Sequence, residues 1–441
     1  MPRPTERLGP PNSNASPFGD DISRSLSTVM ERSLTLNGPT SARALSFLAG
    51  AGMIVASALT IDHYFSANFP ETIWEGSFCD INAFFNCDSS SYSLISQVGG
   101  VPLGYFGVVV GVLVSLGALF PSRAFERTNK TIALLNGVGV VALFAYSVFV
   151  LGSLCLLCSG YYVFALLSLL LFWRFGIDGD EAQLPRRWIR PSSRHLAVFA
   201  VFTAAGAFGF IRFHDAKEDA QTGGVASRIV EEYFELPEVP LPSVLSPYWT
   251  IRSGDEFQDA PVRIVEYGDL LCPDCRYLAE QLHRLEEEFP GKVNAVFQFF
   301  PLEGECNDVV EKDLHPGACE LSYMAAHDPA SFRAIHDEIW ETWPSARDPE
   351  WRMDMARRYG VSQGPEDPET REMVHRLIQT GKEYEKTSEQ YAYGIRSTPT
   401  TILNGRMLIG TLPYEQLKAI VEAIISRSEG GDRFLESWVE R

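Results

Sequence analysis

The chain has 441 residues, enough for two or three domains, and 46% of them are hydrophobic. Its net charge of -19 is uneven: up to Arg212 there are 14 Lys and Arg against 13 Asp and Glu, and from Phe213 onward 23 against 43. An acidic C-terminal half argues against nucleic acid as a partner, because phosphate binding needs a basic footprint, and it reads as a solvated surface.

Residues 1–43 mix Pro, Ser, Asn and Arg without periodicity, which predicts a disordered arm. Five apolar stretches follow, about Ala44 to Phe65, Val101 to Phe120, Thr131 to Gly152, Cys155 to Trp173 and His195 to Phe213. Each is near the ~20 residues a helix needs to cross the hydrocarbon of a lipid membrane. The first begins too far into the chain for an ordinary secretory signal and lacks a persuasive cleavage site, so a retained helix is expected. Basic residues gather in the arm, in the second connection (Arg123, Arg127, Lys130) and in the fourth (Arg174, Arg186, Arg187, Arg190, Arg194), whereas Ser66 to Gly100 has none. The positive-inside rule then puts the arm in the cytoplasm and the C-terminal half outside a cell (inner) membrane. All eight cysteines fall on the outer side, where disulfides persist.

Thr131 to Trp173 is too long for one helix, and Gly152-Ser153 offers the break of an antiparallel hairpin. Cys155 and Cys158 open the next helix on one face. His214 to Pro247, rich in Glu, Pro and Gly, reads as a tether with a short helix near Val225 to Phe234. Beyond it come a strand at Val262 to Tyr267, a second Cys-x-x-Cys, helical spacing from Arg276 to Phe289, and a strand at Asn294 to Pro301. A helical block from about Pro316 to Tyr393 leads to Thr400 to Asn404, a turn at Asn404-Gly405, a strand at Arg406 to Gly410, and an amphipathic helix from Tyr414 to about Ser426. This is a thioredoxin-type order.

In Cys272-Pro273-Asp274-Cys275 the first thiol is expected at a helix N-terminus, where free N–H groups and the dipole favour thiolate. Cys272 is then the nucleophile, and Cys275 resolves the mixed disulfide. The competing reading is a zinc half-site, but no second half follows in the tail at zinc-finger spacing. Thr398-Pro399, just before a strand, is a candidate cis-proline loop facing the cysteines. Cys79 and Cys87, in the loop without basic residues, could join Cys155 and Cys158 as a four-thiolate zinc site, and Cys306, His315 and Cys319 could hold a metal; the reading adopted has no metal at either place.

The tail, through IVEYGDLLCPDC and STPTTILNG, resembles a DsbA-like thioredoxin-fold domain. It departs from that pattern in carrying Asp274 where histidine is frequent, and an acidic neighbour disfavours thiolate, implying a milder oxidant. CDINAFFNC from Cys79 to Cys87, Ser93 and the CLLC of Cys155 to Cys158 resemble a bacterial homologue of vitamin K epoxide reductase. The expected fold is an all-α polytopic membrane bundle, four helices plus a fifth linking one, followed by an α/β thioredoxin-like domain with a helical insertion. The expected divisions are 1–43 arm, 44–175 membrane domain, 176–213 cytoplasmic loop and fifth helix, 214–250 linker, 251–430 DsbA-like domain and 431–441 tail.

The resemblance implies an enzyme, a relay in which Cys272/Cys275 pass electrons to Cys79/Cys87, these to Cys155/Cys158, and Cys158 to a quinone, ubiquinone or menaquinone. Ser93 is expected to hydrogen-bond a quinone carbonyl, with a helix cap as its other reading, and Tyr162 to line the pocket, with an interfacial aromatic as its other reading. Cys306 and Cys319 are expected to form a structural disulfide. Secreted or periplasmic protein thiols are the implied substrates. Two alternatives differ in kind: a reductase or isomerase with outward electron flow, for which no cysteine reaches the cytoplasm, and a docking module without turnover.

Overall fold

The computed structural model describes residues 38–73, 85–120, 122–175, 191–220, 224–310, 313–385 and 394–429. Residues 1–37 of the arm, Cys79 and the tail 431–441 lie outside this range.

Five apolar helices form the first half: α1 Gly38–Asn68, α2 Leu103–Leu119, α3 Arg123–Tyr146, α4 Leu156–Phe175 and α5 Ser193–Ala220. Three segments are long and apolar enough to cross a membrane, Ser41–Asn68, Ala124–Leu151 and Ser193–Ala220, while Leu103–Leu119 and Leu156–Phe172 are shorter. At 1.5 Å per residue the 17 residues of α2 rise about 26 Å, just under the ~30 Å of a hydrocarbon core. Helices α1 and α2 approach closely because glycines meet: a Cβ on Gly50 would lie 2.8 Å from the Gly111 carbonyl oxygen. Helix α3 ends in a π-turn, Ser147–Leu151, closed by Gly152 in the left-handed region at φ 65°, and the chain reverses there into α4.

The sequence reading of 214–250 as a tether differs from the structure. Helix α5 runs on to Ala220, and α6, Ala226–Glu235, lies against the last helix of the chain. Ile229, Tyr233 and Leu236 make a stripe that is buried despite the polar composition around it, and the Tyr233 hydroxyl donates to the Leu403 carbonyl at 2.7 Å. Glu238 then bridges to Arg406, so the segment is part of the second folded body.

That body is built on five strands, β1 Trp249–Ile251, β2 Val262–Gly268, β3 Val293–Phe299, β4 Thr400–Leu403 and β5 Arg406–Ile409, in the order β1-β3-β2-β4-β5. Only β2 and β3 are parallel, in register from Val262↔Val293 to Gly268↔Phe299. Both are buried along their whole length, which hides the period-two alternation a one-sided sheet would show. Helix α7, Pro273–Glu288, makes the crossover, and β4 and β5 turn at Asn404-Gly405, where Asn404 has φ 42°.

The helical block resolves into α8 Ala318–Ala326, α9 Phe332–Glu341, α10 Pro349–Tyr359 and α11 Pro368–Thr380, before α12 Tyr414–Glu429. Asp348 and Asp367 cap α10 and α11, each followed by proline at the first helical position. Val265, Tyr267, Phe297 and Phe299 pack with this insertion, whereas Val262, Ile264, Val293 and Ala295 pack with α6, α7 and α12.

Candidate functional site

Strand β2 ends at Gly268, and Asp269 organises the turn that follows. Its Oδ1 accepts from the Leu271 N–H at 2.7 Å; its Oδ2 accepts from the Leu302 N–H at 2.6 Å and meets His315 Nδ1 at 2.7 Å. This turn delivers Cys272 to the N-cap of α7, with Pro273 at the first helical position and Cys275 in the first turn. Cys272 Sγ lies 3.4 Å from the Thr398 carbonyl oxygen, to which its thiol donates, and the Thr398-Pro399 peptide is cis. The Asp269 N–H donates to Cys275 Sγ at 3.5 Å. Both thiols are buried and unbonded to each other, and a disulfide joins Cys306 to Cys319.

Burial opposes the Cys272 thiolate, yet the hydrogen bond with Cys275, the charge of His315 and the contact with Thr398 outweigh it, and the thiol falls to about 6. Burial and the neighbouring Cys272 charge push Cys275 well up. Burial lowers the basicity of His315, but the charge and hydrogen bond of Asp269 overcome this and raise it. Asp269 is the acid that weighs most against the Cys272 thiolate, ahead of the Asp274 that the sequence singled out. The Asp274 carboxylate is directed to the other domain, where its Oδ2 accepts from Asn86 Nδ2 at 3.1 Å.

Sequence reasoning missed three neighbours of this pair. Glu266 on β2 is fully buried, neither carboxylate oxygen has a hydrogen-bond partner among the described residues, and burial with the Cys272 charge raises it to about 8. An acidic residue inside VRIVEY, a strand otherwise fit for a core, was the available signal. His315, which the sequence offered only as a possible metal ligand with Cys306 and Cys319, and Arg347, which no local pattern marks, come from the insertion.

In the helical half, Cys87 is disulfide-bonded, fully buried and packed against the buried Cys155. Cys155 Sγ accepts from the Cys158 N–H at 3.2 Å as α4 begins. Cys155, Cys158, Ser93 and Tyr162 line one cavity of about 70 Å³, together with Tyr64, Leu103, Leu143, Tyr146 and Leu151. Its wall is mainly apolar, with hydroxyls from serines, tyrosines and Thr60 among the lining residues. The Ser93 hydroxyl donates to the Ser90 carbonyl at 2.7 Å, and Ser93 also lines this cavity. His63 of α1 pairs with Asp88, the residue after Cys87, at 3.0 Å. No group of three or more potential metal ligands occurs among the described residues.

The two halves meet around these cysteines. Besides Asn86 and Asp274, the Tyr92 and Tyr277 rings stack at 4.0 Å and 5°. Trp343 Nε1 donates to the Leu151 carbonyl at 3.0 Å, Arg347 donates to the Gly152 carbonyl, and Gln416 Nε2 donates to the Pro70 carbonyl at 2.7 Å.

Comparison with known proteins agrees with this division. Residues 43–173 match the vitamin K epoxide reductase family and residues 250–423 match thioredoxin. Over 87 residues the chain is 40% identical to a probable disulfide bond formation protein D of Bacillus anthracis, a match covering 19% of this chain and 37% of that protein. It is 26% identical over 176 residues to disulfide bond formation protein D of Bacillus subtilis (strain 168), covering 37% and 72%. The chain thus spans little more than a third of the length of the first of these relatives. Among solved structures, Proteus mirabilis ScsC in a compact conformation matches at 16% identity and TM-score 0.30, over 53% of this chain and 98% of that one. The oxidoreductase DsbA from Xylella fastidiosa matches at 17% identity and TM-score 0.29, over 44% and 92%. Apolar helices of spanning length and the two family matches make this a membrane protein that joins a vitamin K epoxide reductase family domain, residues 43–173, to a thioredoxin-like domain, residues 250–423.

Proposed function

We propose that the chain is a thiol–quinone oxidoreductase of the cell membrane that makes disulfides and hands them to proteins outside the cytoplasm. One observation carries the reading: disulfide-bonded Cys87 packs on Cys155, beside the cavity that Cys158 lines, while the Cys272 domain is docked on the same loop region. This supports a relay of three thiol stations in the order that exchange needs.

Each transfer conserves electrons. A substrate dithiol attacks the Cys272–Cys275 disulfide, first forming a mixed disulfide at Cys272, and leaves oxidised, with two electrons and two protons retained on Cys272 and Cys275. Cys272 thiolate then attacks the disulfide of the Cys79/Cys87 pair; Cys275 releases the mixed disulfide, for which it must lose a proton. Glu266, buried beside the pair and raised to about 8, can take that proton only in its ionised fraction, which grows as pH rises toward 8. The reduced loop pair next reduces a Cys155–Cys158 disulfide, and the resulting dithiol gives two electrons and two protons to quinone, the co-substrate, forming quinol. Ser93 and Tyr162 bring hydroxyls to the cavity where its carbonyls would lie.

The basic loops favour a cytoplasmic N-terminus and an outward thioredoxin domain. The test is coupled turnover in nanodiscs: a reduced dithiol peptide and a quinone are supplied, and peptide disulfide and quinol are counted. Equal yields in wild type, and neither product in Cys272→Ser, are expected. Quinol formation that persists in Cys272→Ser with the same peptide contradicts the relay.

A further inference from the structure

Helix α3 ends in the π-turn Ser147–Leu151, so its last carbonyls lack intrahelical partners, and the helix dipole makes that end negative. The Leu151 carbonyl accepts from Trp343 Nε1 at 3.0 Å and the Gly152 carbonyl from the Arg347 guanidinium. Both donors come from the helical insertion of the thioredoxin domain, some two hundred residues away in sequence. The guanidinium carbon of Arg347 sits 4.8 Å from the centre of the Trp343 ring, so the two side chains hold each other in place. Pro344 between them packs on Gly152, where an added Cβ would lie 2.5 Å from the proline Cβ. The turn they grip is the one that leads into Cys155.

We propose that Trp343, Pro344 and Arg347 form a docking clamp that addresses the thioredoxin domain to the Gly152 turn of its own membrane domain, selecting the internal redox partner over external thiols. This rests on the relay reading. In the clamped state Cys272 is only 3% exposed. On this proposal external proteins reach Cys272 in an unclamped state, and clamp strength sets how the domain divides its time between them and the loop. Trp343 and Arg347 are positioning residues; neither contributes an atom to thiol exchange.

The test uses the full chain in nanodiscs with Cys275→Ala, which leaves Cys272 the free thiol of its pair. The rate at which a maleimide on a bulky polyethylene glycol labels Cys272, read at that site by mass spectrometry in protein kept reduced so that no Cys272–loop disulfide competes, reports undocking. Loss of one neutral hydrogen bond in Trp343→Phe should raise the rate about fivefold, and loss of the charged one in Arg347→Gln about tenfold or more. Trp343→Phe changes no charge, so its effect cannot come from thiolate chemistry. Gly152→Ala attacks the clamp from the membrane side, leaves the thioredoxin domain untouched, and should also raise labelling. Rates within about twofold of the parent in all three variants overturn the clamp. In the same samples, mass spectrometry after adding oxidised glutathione gives the ratio of Cys272–loop to Cys272–glutathione disulfide. The ratio should fall in the variants as labelling rises, whereas the absence of any Cys272–loop disulfide in the parent refutes the relay and leaves the labelling result to decide the clamp.

Discussion

Replacing Glu266 with glutamine isolates the energetics of the buried carboxyl behind the cysteine pair. Folding raises Glu266 from 4.5 to about 8, chiefly by burial. Each tenfold step in proton affinity is worth about 1.4 kcal/mol. At pH 7 the folded chain keeps the carboxyl neutral while the unfolded chain would ionise it, which costs about 3 kcal/mol, growing to about 5 kcal/mol above pH 8. The sign follows from the raised value: the stabilising contribution is complete below about 4.5 and is lost as pH rises through about 8. A carboxamide and a neutral carboxyl leave comparable polar groups buried, so the pH-dependent part of the difference is the clean readout. Guanidinium unfolding of the reduced protein, followed by tryptophan fluorescence, should show Glu266→Gln near wild type at pH 4.5 and more stable by about 3 kcal/mol at pH 7. The same variant should slow resolution by Cys275, because its proton acceptor is gone. A stability difference independent of pH between 4.5 and 8 refutes the reasoning.

The thiolate of Cys272 is fully present above its folded value of about 6 and is lost as pH falls through it, so thiolate ultraviolet absorbance of the reduced protein should titrate there. His315→Gln, removing a charge that favours the thiolate, should move that midpoint upward and make the domain a weaker oxidant; an unmoved midpoint contradicts the assignment. Asp274→Ala removes the acceptor for Asn86 and should slow the first-turnover electron transfer from Cys272 to the membrane domain by about tenfold, while the Cys272 titration stays put, which stopped-flow mixing with quinone would show. Ser93→Ala and Tyr162→Phe should raise the KM for quinone by several-fold with little loss of fold, and an unchanged KM in both would remove them from the pocket.

The cysteine framework and the strand order were legible because they are local: CPDC before a helical period, STPTTIL before a turn, CLLC at the head of an apolar run. The turn at Asn404-Gly405 announced itself for the same reason. The segment around Ile229 and Tyr233 was misread as a tether because two buried side chains one turn apart sufficed to pack it, and composition averages over them. Glu266 faces the cysteines only because β2 is central and buried on both sides, a property of the sheet rather than of the strand. His315 and Arg347 arrive from the insertion, so the electrostatics of Cys272 could not be read from its own neighbours alone, and of the two local acids, Asp269 and Asp274, the sequence reading weighed only Asp274, whose carboxylate meets Asn86. Trp343 and Arg347 sit in no recognisable motif; they matter because α3 ends with unsatisfied carbonyls.

The central claim is that electrons leave the chain through Cys158 to quinone. Fully reduced protein in nanodiscs, mixed anaerobically with ubiquinone or menaquinone analogues, should form quinol in wild type within a single turnover, and Cys158→Ala should form none while Cys272 remains titratable. Quinol formation at the wild-type rate in Cys158→Ala, or no quinol from wild type with either analogue, would contradict the account.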